Sequence, residues 1–445
     1  APSPLLDSAS VAARRLRDNP WYLVGIIMLL VILSYIDRAV LSLFGPVVQR
    51  DLGISDSQMG LLYGLGFIAP FALLTLLVGW AIDRYNRVLI LLAGLCLWSV
   101  MTAGCGLVSS FALLLVCRGG VGAGEAVVSP AGYALIADRF SPERRGRAVG
   151  MVAASVSMGT GIALVVGSVL LNVLGSEDRT LSFLGTVHGW QVAFVLLGLL
   201  GVPLAILVMT LKDPRPVVET RSVQTVADLR LFLRRERRLL LAIFGCGVIN
   251  VSIGTGIIAW TPTLLVRRFD VSPGDIGYLL GVTSVIGGVI GAPLAAELSD
   301  RWMRARAFGG RLRAHATLFT AMLAGIVVMA TGTSSYQVAA GYIVVATVLA
   351  AINALSYAAV QDISPSPLRG RMLALVQFAT LAFGYGSGPS LVAFVTDYVF
   401  KDPQAIGWSL LIVGVPLCLL AIALAQFNRA YYPLSGQSAS AVHTQ

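Results

Sequence analysis

Twelve stretches long and apolar enough to cross a bilayer recur along the 445 residues, at about 21–48, 58–82, 88–109, 111–137, 146–173, 190–211, 239–266, 276–299, 315–333, 337–361, 370–398 and 406–427. A hydrocarbon layer about 30 Å thick is crossed by about 20 helical residues. In lipid the backbone must satisfy its own polar groups, so segments of this length and apolarity fold as helices. The expectation is an all-α membrane protein with twelve transmembrane helices. Only 12% of the residues are charged, against roughly 25% in a soluble domain. The five cysteines (Cys96, Cys105, Cys117, Cys246, Cys418) all lie in apolar runs without CxxC or metal-ligand spacing, so neither a disulfide nor a metal site is expected. The first run is too long for the core of a signal peptide and contains Asp37 and Arg38; it is read as the first spanning helix, with no cleavable signal.

The connections are short except for 212–238, which carries DPRP and then an amphipathic, arginine-rich stretch ending RRERR. The chain therefore divides into a cytoplasmic segment 1–20, a six-helix bundle 21–211, a cytoplasmic linker 212–238 with an amphipathic helix, a second six-helix bundle 239–428 and a cytoplasmic tail 429–445. The halves repeat each other. Ser55, Gly60, Gly64 and Asp83-Arg84 recur as Ser272, Gly277, Gly281 and Asp300-Arg301, and ADRFSPERRGR at 137–147 recurs as QDISPSPLRGR at 361–371. Parallel six-helix repeats predict two pseudo-symmetric bundles with a site at their interface. Of the 32 basic residues, only Arg50, Arg179, Arg267, Arg268 and Lys401 fall on the far side and Arg38 and Arg118 within the membrane. The remainder lie on the side of the termini, which predicts both termini in the cytoplasm. The same distribution accounts for the net charge of +10 without nucleic acid as a partner.

Within this apolar background, RGGVGAGE at 118–125 sets two opposite charges inside a span. Seven residues return a helix to nearly the same face, roughly 10 Å along its axis, so Arg118 and Glu125 share a face. A charge near the bilayer centre costs ~3 kcal/mol or more, and such residues face a bundle interior or a wet cavity. Gly120 and Gly124 form a small-xxx-small pair suited to close helix packing. Asp37-Arg38 lies midway through the first span, and one arrangement puts Asp37 near Arg118 and Arg38 near Glu125. Desolvation and a nearby arginine pull a carboxylate's proton affinity in opposite directions, so substrate or conformation can tip its protonation. Asp37 and Glu125 are thus the candidates for proton coupling, with Arg38 and Arg118 as charge partners and anion anchors. A purely structural reading, in which the four charges pair for assembly, stays open.

The motif GWAIDRYNR at 79–87, its degenerate echo AELSDR after the eighth span, RGGVGAGEA at 118–126 and the duplicated halves resemble the major facilitator superfamily over nearly the whole chain. Within it, SYIDR at 34–38, GWAIDRYNRV and RGGVGAGEA are similar to the spinster branch, including bacterial spinster homologues. The resemblance implies that Gly79, Asp83, Arg84 and Arg87 form a cytoplasmic gate, and electrostatic complementarity adds Asp138 and Arg147 as candidates for its latch. The region from Gly159 to Gly167 lacks the Gly-Pro pair of drug antiporters. Tyr35, Tyr63, Asn250, Trp260, Asn353, Tyr357 and Gln377 are candidates for lining the path. The charged pairs lie in the first half and the second half offers apolar and aromatic surface, an asymmetry that suits an amphiphile with an anionic head.

The resulting expectation is a proton-coupled secondary active transporter working by alternating access. Lysolipid or sphingoid-phosphate cargo is what the spinster resemblance implies. The expected setting is a bacterial inner membrane, the expected state a monomer, and no cofactor is expected beyond the proton gradient. A transporter of a small organic anion or drug stays open, as does an uncoupled lipid scramblase or channel. An enzyme is disfavoured, since none of His188, His315 and His443 stands beside an evident acid or nucleophile in a span, and no phosphate-binding GxxxxGK[ST] loop occurs.

Overall fold

The computed structural model describes residues 19–82, 84–174, 179–181, 185–213, 224–304, 309–365 and 368–432. In chain order the α-helices are α1 Pro20–Leu52, α2 Asp56–Tyr63, α3 Leu65–Ile82, α4 Arg87–Cys105, α5 Phe111–Glu125, α6 Val128–Arg139, α7 Pro142–Leu174 and α8 Gly189–Met209. A two-stranded antiparallel ribbon, β1 Arg179–Leu181 with β2 Gly185–Val187, joins α7 to α8. There follow α9 Gln224–Arg235, α10 Arg237–Phe269, α11 Pro273–Arg304, α12 Gly310–Thr331, α13 Ser335–Ile363, α14 Arg369–Ala379, α15 Gly386–Phe394 and α16 Ile406–Asn428. Among the described residues, eleven helical segments are long and apolar enough to cross a membrane. The run expected at 146–173 lies within α7, where the apolar stretch is the shorter Gly159–Leu174. Its first turns hold Arg144, Arg145 and Arg147, all exposed.

Local sequence explains where these helices start and break. Ser55 caps α2 through Gln58 N→Oγ (3.2 Å) while Gln58 Oε1 accepts from Ser55 N (2.9 Å), the reciprocal box that satisfies two orphan amides. Its repeat partner Ser272 accepts from Asp275 N at 3.2 Å and so starts the eighth span the same way. The fourth span breaks at Ala126-Val127 between α5 and α6. Pro130 supplies no N–H to the carbonyl four residues earlier, and its ring crowds that carbonyl, so the break falls directly after Glu125. In the eleventh span, Thr380–Tyr385 and Val395–Phe400 are π-helical and bracket α15.

The described residues pack as two compact units, those within 1–40 and 69–218 and those within 41–68 and 219–445. This division differs from the two sequence halves in one respect: the far end of α1, all of α2 and the start of α3 belong with the second unit. In the first unit, α4 and α5 approach through glycines, since a Cβ at Gly124 would stand 2.5 Å from Trp98 N and 2.6 Å from Gly94 O. Backbone contact of that kind is how spanning helices associate where lipid offers no hydrophobic drive. In the second unit, α11 meets α13 at Gly291, where a Cβ would stand 2.3 Å from Thr347 O.

Candidate functional site

The first unit buries three of the four charged side chains that the sequence singled out and half-buries the fourth, Arg38. Asp37 and Arg118 are each 1% exposed and Glu125 is 3% exposed. Arg38 Nη2 donates to Glu125 Oε2, as does Ser34 Oγ, so the pairing of Arg38 with Glu125 is present. The Arg38 guanidinium also lies 5.2 Å from the ring centroid of half-buried Tyr35. Asp37 Oδ2 accepts from Trp98 Nε1 and Thr102 Oγ1, both at 2.7 Å. Sequence reasoning missed these two donors. Their signal was a Trp and a Thr four residues apart on one face of α4, a spacing that ordinary packing also produces. Asp37 Oδ1 and Glu125 Oε1 are buried without a hydrogen-bond partner among the described residues. Within that set each carboxylate has one oxygen held and one left over.

At the turn between α3 and α4, Arg87 is the organising residue. Its Nη1 donates to Asp138 Oδ2 at the end of α6, its Nε to Ile82 O at 3.2 Å, and its backbone amide to Asp213 Oδ2 at 2.7 Å. Asp138 is therefore held by an arginine of the motif itself. Arg147, expected at the same latch, is exposed and lies 5.5 Å from the ring centroid of Trp21. The guanidinium of Arg84 stacks 4.4 Å over Trp80, and a Cβ at Gly79 would meet nothing within 4 Å. Asp83 lies outside the described residues.

The polar and aromatic residues proposed to line a path divide into two sets. Trp260 is fully buried and donates to Pro389 O at 2.9 Å, and Tyr63, 7% exposed, meets its ring edge-on at 5.4 Å. These two are packing groups rather than lining groups, because an indole and a phenol cover a large apolar area when seated between helices. Asn250, also fully buried, donates to Leu349 O and Asn353 Oδ1, both at 3.2 Å. Asn353, Tyr357 and Gln361 are exposed, and their four-residue spacing aligns them along α13. Gln377 is half-buried.

Eleven helical segments of spanning length among the described residues, with charged side chains buried between them, define the class as a polytopic membrane protein. The profile of the Major Facilitator Superfamily matches residues 27–389. The chain belongs to that superfamily. It is 27% identical to an MFS-type efflux pump of Mycolicibacterium smegmatis over 96% of this chain and 98% of that protein. It is 30% identical to protein spinster homolog 1 of Bos taurus over 63% of this chain, a match spanning 55% of that longer protein. Among solved structures, a bacterial homologue of the human lysosomal transporter spinster, inward-facing and unoccupied, superposes with a TM-score of 0.73. The two are 21% identical, with 93% of this chain and 96% of that one covered. A D-xylose–proton symporter superposes with a TM-score of 0.69 at 17% identity, over 94% and 99% of the two chains. The protein is an integral multi-pass membrane transporter.

Proposed function

We propose that this chain is a proton-coupled secondary active transporter that moves an anionic amphiphile, of the lysolipid or sphingoid-phosphate class, by alternating access. One observation carries the reading: Asp37 and Glu125 are buried, and each presents one carboxylate oxygen without a hydrogen-bond partner among the described residues. Such an oxygen can accept a proton without displacing an existing donor. The held oxygens meanwhile keep each side chain oriented through Trp98 and Thr102 or through Arg38 and Ser34. Protonation at Glu125 removes the charge on one partner of Arg38, so proton binding and the placement of an arginine are linked. A guanidinium is a fork suited to a phosphate or carboxylate head group. Gly79, Asp83, Arg84, Arg87 and Asp138 form the cytoplasmic gate in this reading, with both termini in the cytoplasm of a bacterium whose inner membrane holds the protein.

The test is flux in proteoliposomes under an imposed pH gradient, with a small panel of anionic amphiphiles and organic anions. Glu125→Gln and Asp37→Asn should abolish gradient-driven uptake while leaving substrate exchange, because a neutral amide imitates the protonated acid. If both variants still follow the gradient, the cluster is structural and coupling lies elsewhere. Flux of the unaltered protein that ignores the gradient favours an uncoupled scramblase or channel.

A further inference from the structure

Where α9 runs into α10, Arg230, Arg234, Arg235, Arg237 and Arg238 crowd into one short stretch, and all are exposed. Glu236 pairs with Arg235 at 3.9 Å, and among the described residues no carboxylate pairs with the other four. Arg238 is held in place by an aromatic ring. Its Nη1 donates to Tyr431 Oη at 2.5 Å, and its guanidinium lies 5.1 Å from the Tyr431 ring centroid. The phenol accepts in this contact, so its own O–H is left to donate elsewhere. The spans that contain α10 and α16 run Arg237–Phe269 and Pro403–Tyr431. The contact therefore sits at the end of both, at the depth where a bilayer passes from hydrocarbon to head groups.

Beneath it α10 and α16 lie side by side in opposite directions. Cys246 Sγ donates to Ala421 O at 3.6 Å, and a Cβ at Gly245 would stand 2.9 Å from Leu424 Cδ1. Leu241 lies between Arg238 and Gly245 at helical spacing, so it shares their face of α10, and Phe427 shares the face of Leu424 and Tyr431 in the same way. Leu241 is 68% exposed and Phe427 is 81% exposed. The seam between the two helices is thus bordered by apolar side chains and topped by a guanidinium and a phenol.

From this geometry we infer that Arg238 and Tyr431 seat the phosphate of an anionic phospholipid, with one acyl chain lying along Leu241 and Phe427. The lipid is a resident of the surrounding leaflet and not the cargo, so the inference is independent of proton coupling and of what is transported. Any lipid covers Leu241 and Phe427; the basic top selects an anionic one. A guanidinium fork takes two oxygens of a phosphate, the phenol adds a third hydrogen bond, and the unpaired arginines of the α9–α10 elbow supply the field that draws the head group in. An acidic peptide meets the same arginines but brings no tail to the seam below them.

The experiment reads which lipid lies on Phe427. A photo-activatable benzoylphenylalanine replaces Phe427, whose exposure lets the larger side chain in without repacking, and the full chain is placed in nanodiscs of equal parts phosphatidylglycerol and phosphatidylcholine. After irradiation the attached lipid is identified by mass. Phosphatidylglycerol should be captured in preference by about five-fold or more, the factor one arginine supplies at a charged head group. Arg238→Gln should bring the ratio close to even, Tyr431→Phe should lower it in part, and Arg144→Gln, which removes an exposed charge from the other unit, should leave it as it was. Should Arg238→Gln not elute as a single species at the parent's volume, Arg238→Lys replaces it and should also lower the ratio, since it keeps the charge and loses the fork. The same photo-active residue in place of Leu89, which is 62% exposed near the arginine turn of α4, reports the general pull of basic turns on anionic lipid and should show a weaker preference. An even ratio at 427 in the parent, equal preference at 427 and 89, or a preference at 427 unmoved by the Arg238 variant overturns the seat. So does its loss from the parent on adding inorganic phosphate, which would make the contact a site for a free anion.

Discussion

The pair formed by Arg38 and Glu125 makes an asymmetric prediction, because its two members are not equally buried. The Glu125 side chain is 1% exposed and that of Arg38 is 16% exposed. Removing one partner of a buried ion pair costs about 3–5 kcal/mol, most of it from the charge left behind. In Arg38→Gln the stranded group is a carboxylate shut away from water and still held by Ser34, so the cost should fall near 5 kcal/mol. In Glu125→Gln the stranded guanidinium keeps some solvent and the face of Tyr35, so the cost should fall near 3 kcal/mol. With both changed, no uncompensated charge remains. The double variant should be less destabilised than the two singles added together, by about 2–3 kcal/mol. Reversible unfolding in mixed micelles of increasing dodecyl sulfate content, followed by tryptophan fluorescence, measures all four species. Additivity within about 0.5 kcal/mol, or a larger loss for Glu125→Gln than for Arg38→Gln, would refute this account of the pair.

The same unfolding measurement checks three further expectations. Trp98→Phe and Thr102→Val each remove one donor to Asp37, which should cost about 1–3 kcal/mol, with the space left by the smaller ring adding to the first; losses under 0.5 kcal/mol in both would mean that Asp37 is solvated by something else. Gly124→Ala should cost about 1–3 kcal/mol through overpacking against the backbone of α4, whereas Gly79→Ala, inside α3 with open space where its Cβ would go, should cost nothing and stabilise by up to about 1 kcal/mol. Tyr432→Phe removes the hydrogen bond of 2.9 Å to Asp362 and should cost about 1 kcal/mol. Burial and the neighbouring Asp362 push the Tyr432 phenol above its ordinary value. A raised phenol pKa leaves the group protonated below the unfolded-state value of about 10, so this loss should be equal at about pH 6 and about pH 9.

The parts of the fold that showed in the sequence are those governed by local physics. Span length follows from bilayer thickness, and the placement of Arg38 with Glu125 follows from charges too costly to leave apart in lipid. What escaped notice depended on distant packing. Nothing local distinguishes Trp98 and Thr102, as donors to Asp37, from any other residues on a buried face. Arg267 registered only as a charge on the far side of the membrane, since its partner Asp56 precedes it by 211 residues. The seating of Tyr63 and Trp260 against each other was likewise invisible, because an aromatic in a span reads the same whether it packs or lines a path.

The repeat itself becomes more informative once coordinates are attached to it. Arg87 and Asp138 join the start of α4 to the end of α6, and the residues 224 positions later, Arg311 and Asp362, join the start of α12 to the end of α13 in the same way. Arg145 donates to Phe140 O and its counterpart Arg369 to Ser364 O, each reaching five residues back. These contacts recur because each half must pin the same helix ends next to its arginine-rich turns. The third member of each staple differs in chemistry. In the first half Asp213 accepts from the amide of Arg87, adding a second carboxylate beside the first. In the second half Tyr432 donates to Asp362, adding none. Removing the arginine therefore has unequal consequences in the two halves. Loss of the Arg87 side chain takes a donor from Asp138 while Asp213 keeps the backbone amide; loss of Arg311 leaves Asp362 still held by the Tyr432 phenol. The duplicated halves thus keep the same mechanical joint, and in the second half a phenol backs up the arginine at the carboxylate.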